Sequence, residues 1–379
     1  MRMANPIATL QDHFGTLTDP RVERTRAHEL LDIVVIAICA VICGADTWVE
    51  VADFGRAKQT WLARFLKLPN GIPSHDTFGR VFARLDPEQF QASFLSWTAT
   101  VSELTQGQVI AIDGKRLRRS HDKAHGKAAL QLVSAWATAN HLVLGQRAVD
   151  DQSNEITAIP LLLETLELAG CIVTIDAMGC QKEIAAAIVD QEADYVLALK
   201  KNHGTLFQEA QELFDFGRRT DFAFLAHDFY QTDEQGHGRH EVRRCWTLAL
   251  PDALSYIRHT DAWPNLHSLI IVEAERRVGE QTSREVRFYL SSLPSQAQPA
   301  LEAVRAHWQI ENGLHWVLDI SFREDDSRVR KDHAPANLAL LRHIALNLLK
   351  QDTSARIGMH AKRLRAGWDE AYLLRVLAH

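Results

Sequence analysis

Cys171-Ile-Val-Thr-Ile-Asp176, the segment Gln181 to Gln191, and Tyr195-Val-Leu-Ala-Leu-Lys200 are the stretch whose reading decides the fold. The two outer runs are short, continuous and apolar, the pattern of strands buried on both faces. Between them lies a helix. Upstream, Val109-Ile-Ala-Ile-Asp113 shows the strand pattern again, and Leu130 to Ala137 and Leu142 to Val149 flank a hairpin loop, Thr138-Ala-Asn-His141. Thr157 to Leu168 reads as a helix stopped by Gly170. The resulting order predicts a mixed α/β sheet with helical crossovers. Asp113 and Asp176 each fall at the C-terminal end of a strand, the edge where ligands of open α/β sheets collect.

The flanks read differently. Residues 1–103 are helical: Leu30 to Val41 is apolar on every side and therefore buried, and Gly44 stops it. Thr47 to Leu66 is a second helix, ended by the turn run Pro69-Asn-Gly-Ile-Pro73. Ser74 or Asp76 caps a third, Thr77 to Leu85, and Pro87 opens a fourth reaching Leu104. These form a helical N-terminal domain, with 104–379 as the second domain. Within the latter, 203–300 is a β-rich insertion: helical Leu206 to Phe216 precedes strand-like Arg239 to Leu250, Ser268 to Arg276 and Glu285 to Leu290. Helical period returns from Pro299, and 337–379 supplies C-terminal helices, beginning with apolar Asn337 to Lys350.

Composition narrows the class. A chain of 379 residues, 46% hydrophobic and 24% charged, is globular rather than disordered. A net charge of −6 excludes a strongly basic DNA coat but leaves room for a local basic channel. The five cysteines are odd in number and lack zinc-ribbon spacing, which suits a reducing cytoplasm. The apolar run Ile33 to Cys43 falls short of the ~20 residues a membrane span requires, and no signal-peptide pattern opens the chain. A soluble cytoplasmic protein with no membrane partner is expected.

The chemistry centres on carboxylates. Taken singly, an Asp after a strand often just caps the next helix. Here two strands end Ile-Asp, followed by Gly114 in one case and by Ala177 and Gly179 in the other, small residues expected to leave room for a ligand. Phosphoryl transfer with two divalent ions, roughly 3.5–4 Å apart, calls for such hard oxygen ligands. A third carboxylate lies on His307-Trp-Gln-Ile-Glu-Asn-Gly-Leu-His-Trp-Val-Leu-Asp319. At helical spacing Val304, His307, Glu311, Leu314, His315 and Leu318 share one face, which directs Glu311 at the sheet. The rival readings are a Glu311 paired with Arg305 or a histidine, and a zinc site from His307, Glu311 and His315, although no His-Glu-x-x-His motif occurs.

Candidate phosphate contacts surround these acids. Lys115 to Lys127 holds six basic residues, Lys115, Arg116, Arg118 and Arg119 among them, against one Asp, and reads as a phosphate-binding loop or a solvated one. Lys200 and Lys201 follow a strand on the same edge, and Arg239, Arg243 and Arg244 place charge on the insertion. Trp308 and Trp316 read as helix packing before base stacking, and Cys171 and Cys180 as core.

Several motifs occur in a telling order: Ala111-Ile-Asp-Gly-Lys-Arg-Leu-Arg-Arg-Ser120, Asn154-Glu-Ile-Thr-Ala-Ile-Pro160, Thr174-Ile-Asp-Ala-Met-Gly-Cys-Gln181, Asp194-Tyr-Val-Leu-Ala-Leu-Lys-Lys-Asn202, His237-Gly-Arg-His-Glu-Val-Arg243 and the His307 to Asp319 stretch. With Gly71-Ile-Pro-Ser-His-Asp-Thr-Phe-Gly-Arg80 in the helical region, the chain resembles bacterial insertion-sequence transposases of the DDE type, in the group that includes the H-repeat-associated proteins. The resemblance spans nearly the whole chain. It implies an RNase H-like catalytic domain with a β-rich insertion and a triad of Asp113, Asp176 and Glu311 binding Mg²⁺ or Mn²⁺. It also implies cleavage at the ends of a mobile element and strand transfer into target DNA, by a dimer on double-stranded DNA in the bacterial nucleoid. The chain departs from a Tyr…Arg…Glu…Lys signature common among DDE relatives: His307 stands four residues before Glu311 and Leu318 seven after. DNA contacts are therefore expected from His307 itself and from Arg305, Arg323 or Arg328. Two other readings keep the same residues: an inactive DNA-binding remnant, and an RNase H-like nuclease that does not transpose.

Overall fold

The computed structural model describes residues 7–102, 104–121, 128–149, 153–236, 238–250, 257–258 and 260–379. Its strands are Val109–Arg116 (β1), Gln131–Ala137 (β2), Leu142–Ala148 (β3), Ile172–Ile175 (β4), Asp194–Leu199 (β5), His227–Gly236 (β6), Arg239–Ala249 (β7), Ser268–Val278 (β8) and Gln281–Ser291 (β9). Among the described residues they make one sheet in the order β3-β2-β1-β4-β5-β9-β8-β7-β6. β1, β2 and β3 are antiparallel neighbours, whereas β4 and β5 run parallel to β1. Helix Glu155–Leu163 (α7) connects β3 to β4, and Lys182–Val189 (α8) connects β4 to β5. The mixed sheet and its crossovers are those expected of an RNase H-like domain. Gly204–Arg219 (α9) then leads into the insertion, an antiparallel meander whose last strand, β9, pairs with β5. The insertion thus lengthens the same sheet rather than standing apart from it.

Alternate residues of each strand face opposite sides. Ile110, Ile112, Val133, Ala135, Val173 and Ile175 pack into one core with α7 and α8, while Ala111, Trp136 and Val143 belong to a second, helical core. That second core joins both ends of the chain. Helix Leu30–Ile42 (α2) buries almost every residue, as its all-round apolar sequence predicts. It packs on a long C-terminal helix, Ala334–Gln351 (α12), itself buried from Asn337 to Leu349. Two asparagines lock α12 in place. Asn347 accepts the N–H of Val143 at 2.9 Å and donates to its carbonyl at 2.8 Å, satisfying the outer edge of β3. Asn337 donates to the carbonyls of Phe82 and Leu85 at 2.8 and 2.9 Å, where helix His75–Arg84 (α5) ends.

Some elements differ from expectation. The single helix read over Thr47 to Leu66 is two, Trp48–Ala57 (α3) and Gln59–Leu62 (α4), because the backbone leaves helical geometry at Lys58. Ala8–Phe14 (α1) precedes them, and Pro87–Val101 (α6) starts at Pro87 with Asp86 as its cap. β6 carries no apolar period and was not anticipated: it is an edge strand exposed along most of its length. The helix following Asn154 begins at Glu155, with the Asn154 side chain accepting the N–H of Ile156 at 3.0 Å. The C-terminal tail folds as Met359–Trp368 (α13) and Glu370–Leu377 (α14). Its Arg363 is buried, donating to the carbonyls of Val41 and Ser321.

Candidate active site

The parallel pairing of β1 with β4 ends at Ile112 and Ile175, so Asp113 and Asp176 are the first residues past one point on adjacent strands. Such strands lie about 4.8 Å apart. Asp113 is not itself a strand end, contrary to expectation: β1 continues to Arg116 along β2, and only its short parallel neighbour stops. Asp176 turns back on its own loop, with Oδ1 accepting the N–H groups of Met178 at 3.0 Å and Gly179 at 3.4 Å. Ala297–His307 (α10) crosses this face of the sheet, where His307 Nδ1 meets Thr174 Oγ1 at 3.0 Å.

Glu311 arrives on a deformed helix. After α10 the chain passes through a π turn, Glu311–His315, before resuming as Trp316–Ser321 (α11). A π turn carries more residues than an α turn, yet Glu311 and His315, its first and last residues, stay within 3.9 Å of each other. His307 does not join them as the zinc reading requires. His307 is held by Thr174, whereas Glu311 and His315 turn to Asp113. His315 Nδ1 lies 3.5 Å from Asp113 Oδ2 and 3.9 Å from Glu311 Oε2. Among the described residues, this is the group whose donor atoms all fall within 4.8 Å of one another. Gly313 permits the approach, since a Cβ there would stand 2.9 Å from Cζ2 of Trp136 in β2.

Asp113, Asp176 and Glu311 line one cleft of about 530 Å³, together with Lys200, Lys201, His307, Trp308 and Arg287. Crowding shows in the electrostatics. Burial, then the charge of Glu311, pushes the Asp113 carboxyl up to about 7, with Asp176 and Glu155 adding to the rise. Burial, then nearby Lys115, takes His315 down to about 4, and burial lowers His307 as well. Both imidazoles are thereby held neutral.

The glycines beside the aspartates do not leave ligand space as expected. A side chain at Gly114 would collide with the Glu155 carboxylate, and one at Gly179 with Ile175 and Ile159. Glu155 itself went unassigned in the sequence, although its motif stood out. It is a buried carboxylate at the start of α7, beneath the opposite face of β1, accepting a hydrogen bond from Gln131. Burial raises its pKa, opposed by that hydrogen bond.

The basic residues divide into three sets. Lys115 is not a surface phosphate contact: its side chain is 12% exposed, and its ammonium pairs with Asp319 and with Glu324 Oε2 at 3.0 Å. Burial opposes its charge, yet Glu324 and Asp319 outweigh this and raise its pKa. Behind Glu324 stands buried Arg342, 3.7 Å away. Arg118 and Arg119 pair with Asp325 and Asp326 at 3.2 Å each, Arg243 with Glu234 and Glu241, Arg239 with Glu241, and Arg305 with Glu234 through both guanidinium nitrogens. Arg116, Lys200 and Lys201 form no ion pair among the described residues. Arg116 and Arg118 line a second opening on the far side of Glu311, and Arg243 a cleft that shares Arg287 and Trp308 with the first. Arg323 lies elsewhere, in a cleft against α3 and α5 with Arg80 and Arg328. Lys123, Lys127 and His237 fall outside the described residues.

Comparison with known proteins gives this geometry its context. A family model described as "Transposase DDE domain" matches residues 104–348, and one described as "DDE_Tnp_1-associated" matches residues 11–98. The chain is 39% identical over 376 residues to "Putative transposase YncI" of Escherichia coli O157:H7, covering 98% of this chain and 95% of that one. It is also 39% identical over 373 residues to "H repeat-associated putative transposase YhhI" of Escherichia coli strain K12, covering 97% of both. A piggyBac transposase in a synaptic complex with hairpin DNA aligns with a TM-score of 0.43 at 10% identity, over 95% of this chain and 75% of the other. No helix among the described residues is long and apolar enough to cross a membrane. With its RNase H-like sheet and near full-length relatives, the chain belongs to the DDE transposase family, among the H-repeat-associated members.

Proposed function

We propose that this protein cuts DNA at the ends of a mobile element and joins the freed 3′ ends to target DNA, using Asp113, Asp176 and Glu311 to hold Mg²⁺ or Mn²⁺. The observation that carries the reading is the convergence of these carboxylates, from β1, from the loop after β4 and from the π turn, on one cleft with lysines on its wall. The donor set fits a hard divalent cation: carboxylate oxygens predominate, and their mutual repulsion, visible in the raised Asp113, calls for positive charge between them. A bound ion supplies charge for the oxyanions that develop in phosphoryl transfer.

The protein's own groups do the rest. The adjacent-strand register fixes Asp113 beside Asp176, and the Met178 and Gly179 amides fix the Asp176 rotamer. Lys200 and Lys201, which form no ion pair among the described residues, attract the phosphate backbone along the cleft. Joining two element ends calls for a pair of subunits, so the active form on DNA is a dimer. The test uses duplexes carrying the inverted repeats that flank the gene. Wild-type protein with Mg²⁺ or Mn²⁺ nicks at the repeat terminus and yields joined products. Asp113→Asn and Asp176→Asn bind the duplex but do neither; full activity in either variant defeats the mechanism. Nicking without joined products would instead identify a nuclease that does not transpose.

A further inference from the structure

We propose that His315 is a direct nitrogen ligand of the ion held by Asp113 and Glu311, giving an oxygen, oxygen, nitrogen set that favours Mn²⁺ over Mg²⁺. This rests on the reading of the cleft as a metal site and adds a ligand that the three carboxylates do not include. The distances carry it. At 3.5 and 3.9 Å from the two carboxylates, Nδ1 is too far for a good hydrogen bond to either. Donors bound about 2.1 Å from a shared ion stand on the order of 3–4 Å from one another, which is the spacing found.

The state of the ring agrees. The His315 side chain is only 9% exposed, and its Nε2 is buried without a hydrogen-bond partner. An ion at Nδ1 supplies the interaction that this nitrogen lacks, with the ring proton carried on Nε2. His307, on the same cleft, differs: its Nδ1 is already engaged by Thr174. The π turn supplies the third observation. It aims Glu311 and His315, its first and last residues, at one carboxylate of the sheet, and such turns concentrate at functional sites. Imidazole is a poor partner for Mg²⁺, which prefers oxygen, so a nitrogen in the set shifts selectivity towards a transition metal.

The experiment is pulsed electron paramagnetic resonance on the full-length protein loaded with Mn²⁺, unlabelled and with ¹⁵N-histidine. Wild type shows a ¹⁴N coupling that converts to ¹⁵N on labelling, a result that needs no variant to fold. The coupling persists in His307→Ala and disappears in His315→Gln. In the latter, Mn²⁺ affinity falls about tenfold or more while Mg²⁺ affinity, measured by displacement, changes by less than about threefold. Bound Mn²⁺ without nitrogen coupling in the wild type overturns the assignment, as does a coupling lost in His307→Ala and kept in His315→Gln. Metal-dependent DNA cleavage with no such coupling would remove His315 as a ligand while leaving the proposed function standing. Failure of the wild type to bind Mn²⁺ would count against both.

Discussion

Replacing Asp113 with Asn should make the metal-free protein more stable at alkaline pH while abolishing DNA cleavage. The buried Asp113 carboxyl rises from 3.8 to about 7 through burial and the charge of Glu311. For an acid, a raised folded-state pKa means that stability is greatest below the unfolded value and is lost as pH climbs through the folded one. Ionising Asp113 therefore costs the fold about 4 kcal/mol above pH ~7, more than half of it incurred between pH ~5 and pH ~8. Asparagine keeps the size and can still accept the Gly114 amide that Asp113 Oδ1 accepts at 2.9 Å, but it carries no charge. Urea unfolding in EDTA, run on both proteins across that range, isolates the difference because every other titrating group is shared. The wild type should lose on the order of 3 kcal/mol more than the variant from pH ~5 to ~8. Saturating Mn²⁺ at pH ~8 should return about 2.7 kcal/mol to the wild type at a hundredfold excess over Kd, and nothing to the variant. Parallel pH profiles for the two proteins, or equal metal response, would refute the crowding of carboxylates on which the site depends.

Other substitutions separate structure from DNA contact. Lys115→Met leaves Asp319 and Glu324 without their main partner and should cost about 3–5 kcal/mol in urea unfolding, as loss of one side of a buried ion cluster does. A surface role would give a change of only about 0.5 kcal/mol. Lys200→Ala with Lys201→Ala should leave stability within about 0.5 kcal/mol. It should also reduce the dependence of duplex affinity on log salt by about 1.8, since each phosphate contact contributes about 0.9. An unchanged slope would remove these lysines from the interface. Gly313→Ala brings a methyl within 2.9 Å of Trp136 and should destabilise by about 1–3 kcal/mol. It should also slow cleavage by lifting Glu311 off the sheet, and wild-type rates in a folded Gly313→Ala protein would show that the approach has slack.

What could be read without coordinates followed how strongly burial marks a sequence. The runs Val109 to Ile112 in β1, Ile172 to Ile175 in β4 and Tyr195 to Leu199 in β5 are almost wholly apolar because both of their faces are covered, and their strand character was legible from that alone, although β1 runs on past Asp113. β6 was not, because an edge strand with most residues in water needs no apolar period. Glu311 was legible as the carboxylate of the His307 to Asp319 motif, with His315 beside it at helical spacing and Asp113 as its partner acid, but that these three draw together without His307 was not. A helical face projected at constant spacing groups Glu311 with both His307 and His315; His307 is taken up by Thr174, and His315 alone stays with Glu311 beside Asp113. Lys115 misled for another reason. Beside Arg116, Arg118 and Arg119 it belongs to a run of like charge, while the acids that bury it lie some 200 positions away. Glu155 was hidden in the same way: its motif was visible, but its position against Gly114 exists only after β1 and α7 pack together.

That burial of Lys115 explains how the fold tolerates its own cluster of carboxylates. Asp113 and Glu311 repel each other, and the repulsion acts to push the π turn away from β1. Two residues further along the same strand, on the same face, Lys115 reaches across to Asp319 on α11, the continuation of the Glu311 segment, and to Glu324 just beyond it. The same two elements that repel at Asp113 and Glu311 are therefore clamped further along by a buried cation between two acids, with Arg342 of α12 backing Glu324. Burial would neutralise Glu324, but Lys115 and Arg342 overcome this and hold its carboxyl below the ordinary range, so the clamp stays charged at neutral pH. Because the clamp and the carboxylate cluster share their backbone supports, Asp113 and Glu311 remain close even without an ion between them. On the proposed function, an ion would meet a site already assembled and gain its affinity from relieving repulsion rather than from ordering the chain.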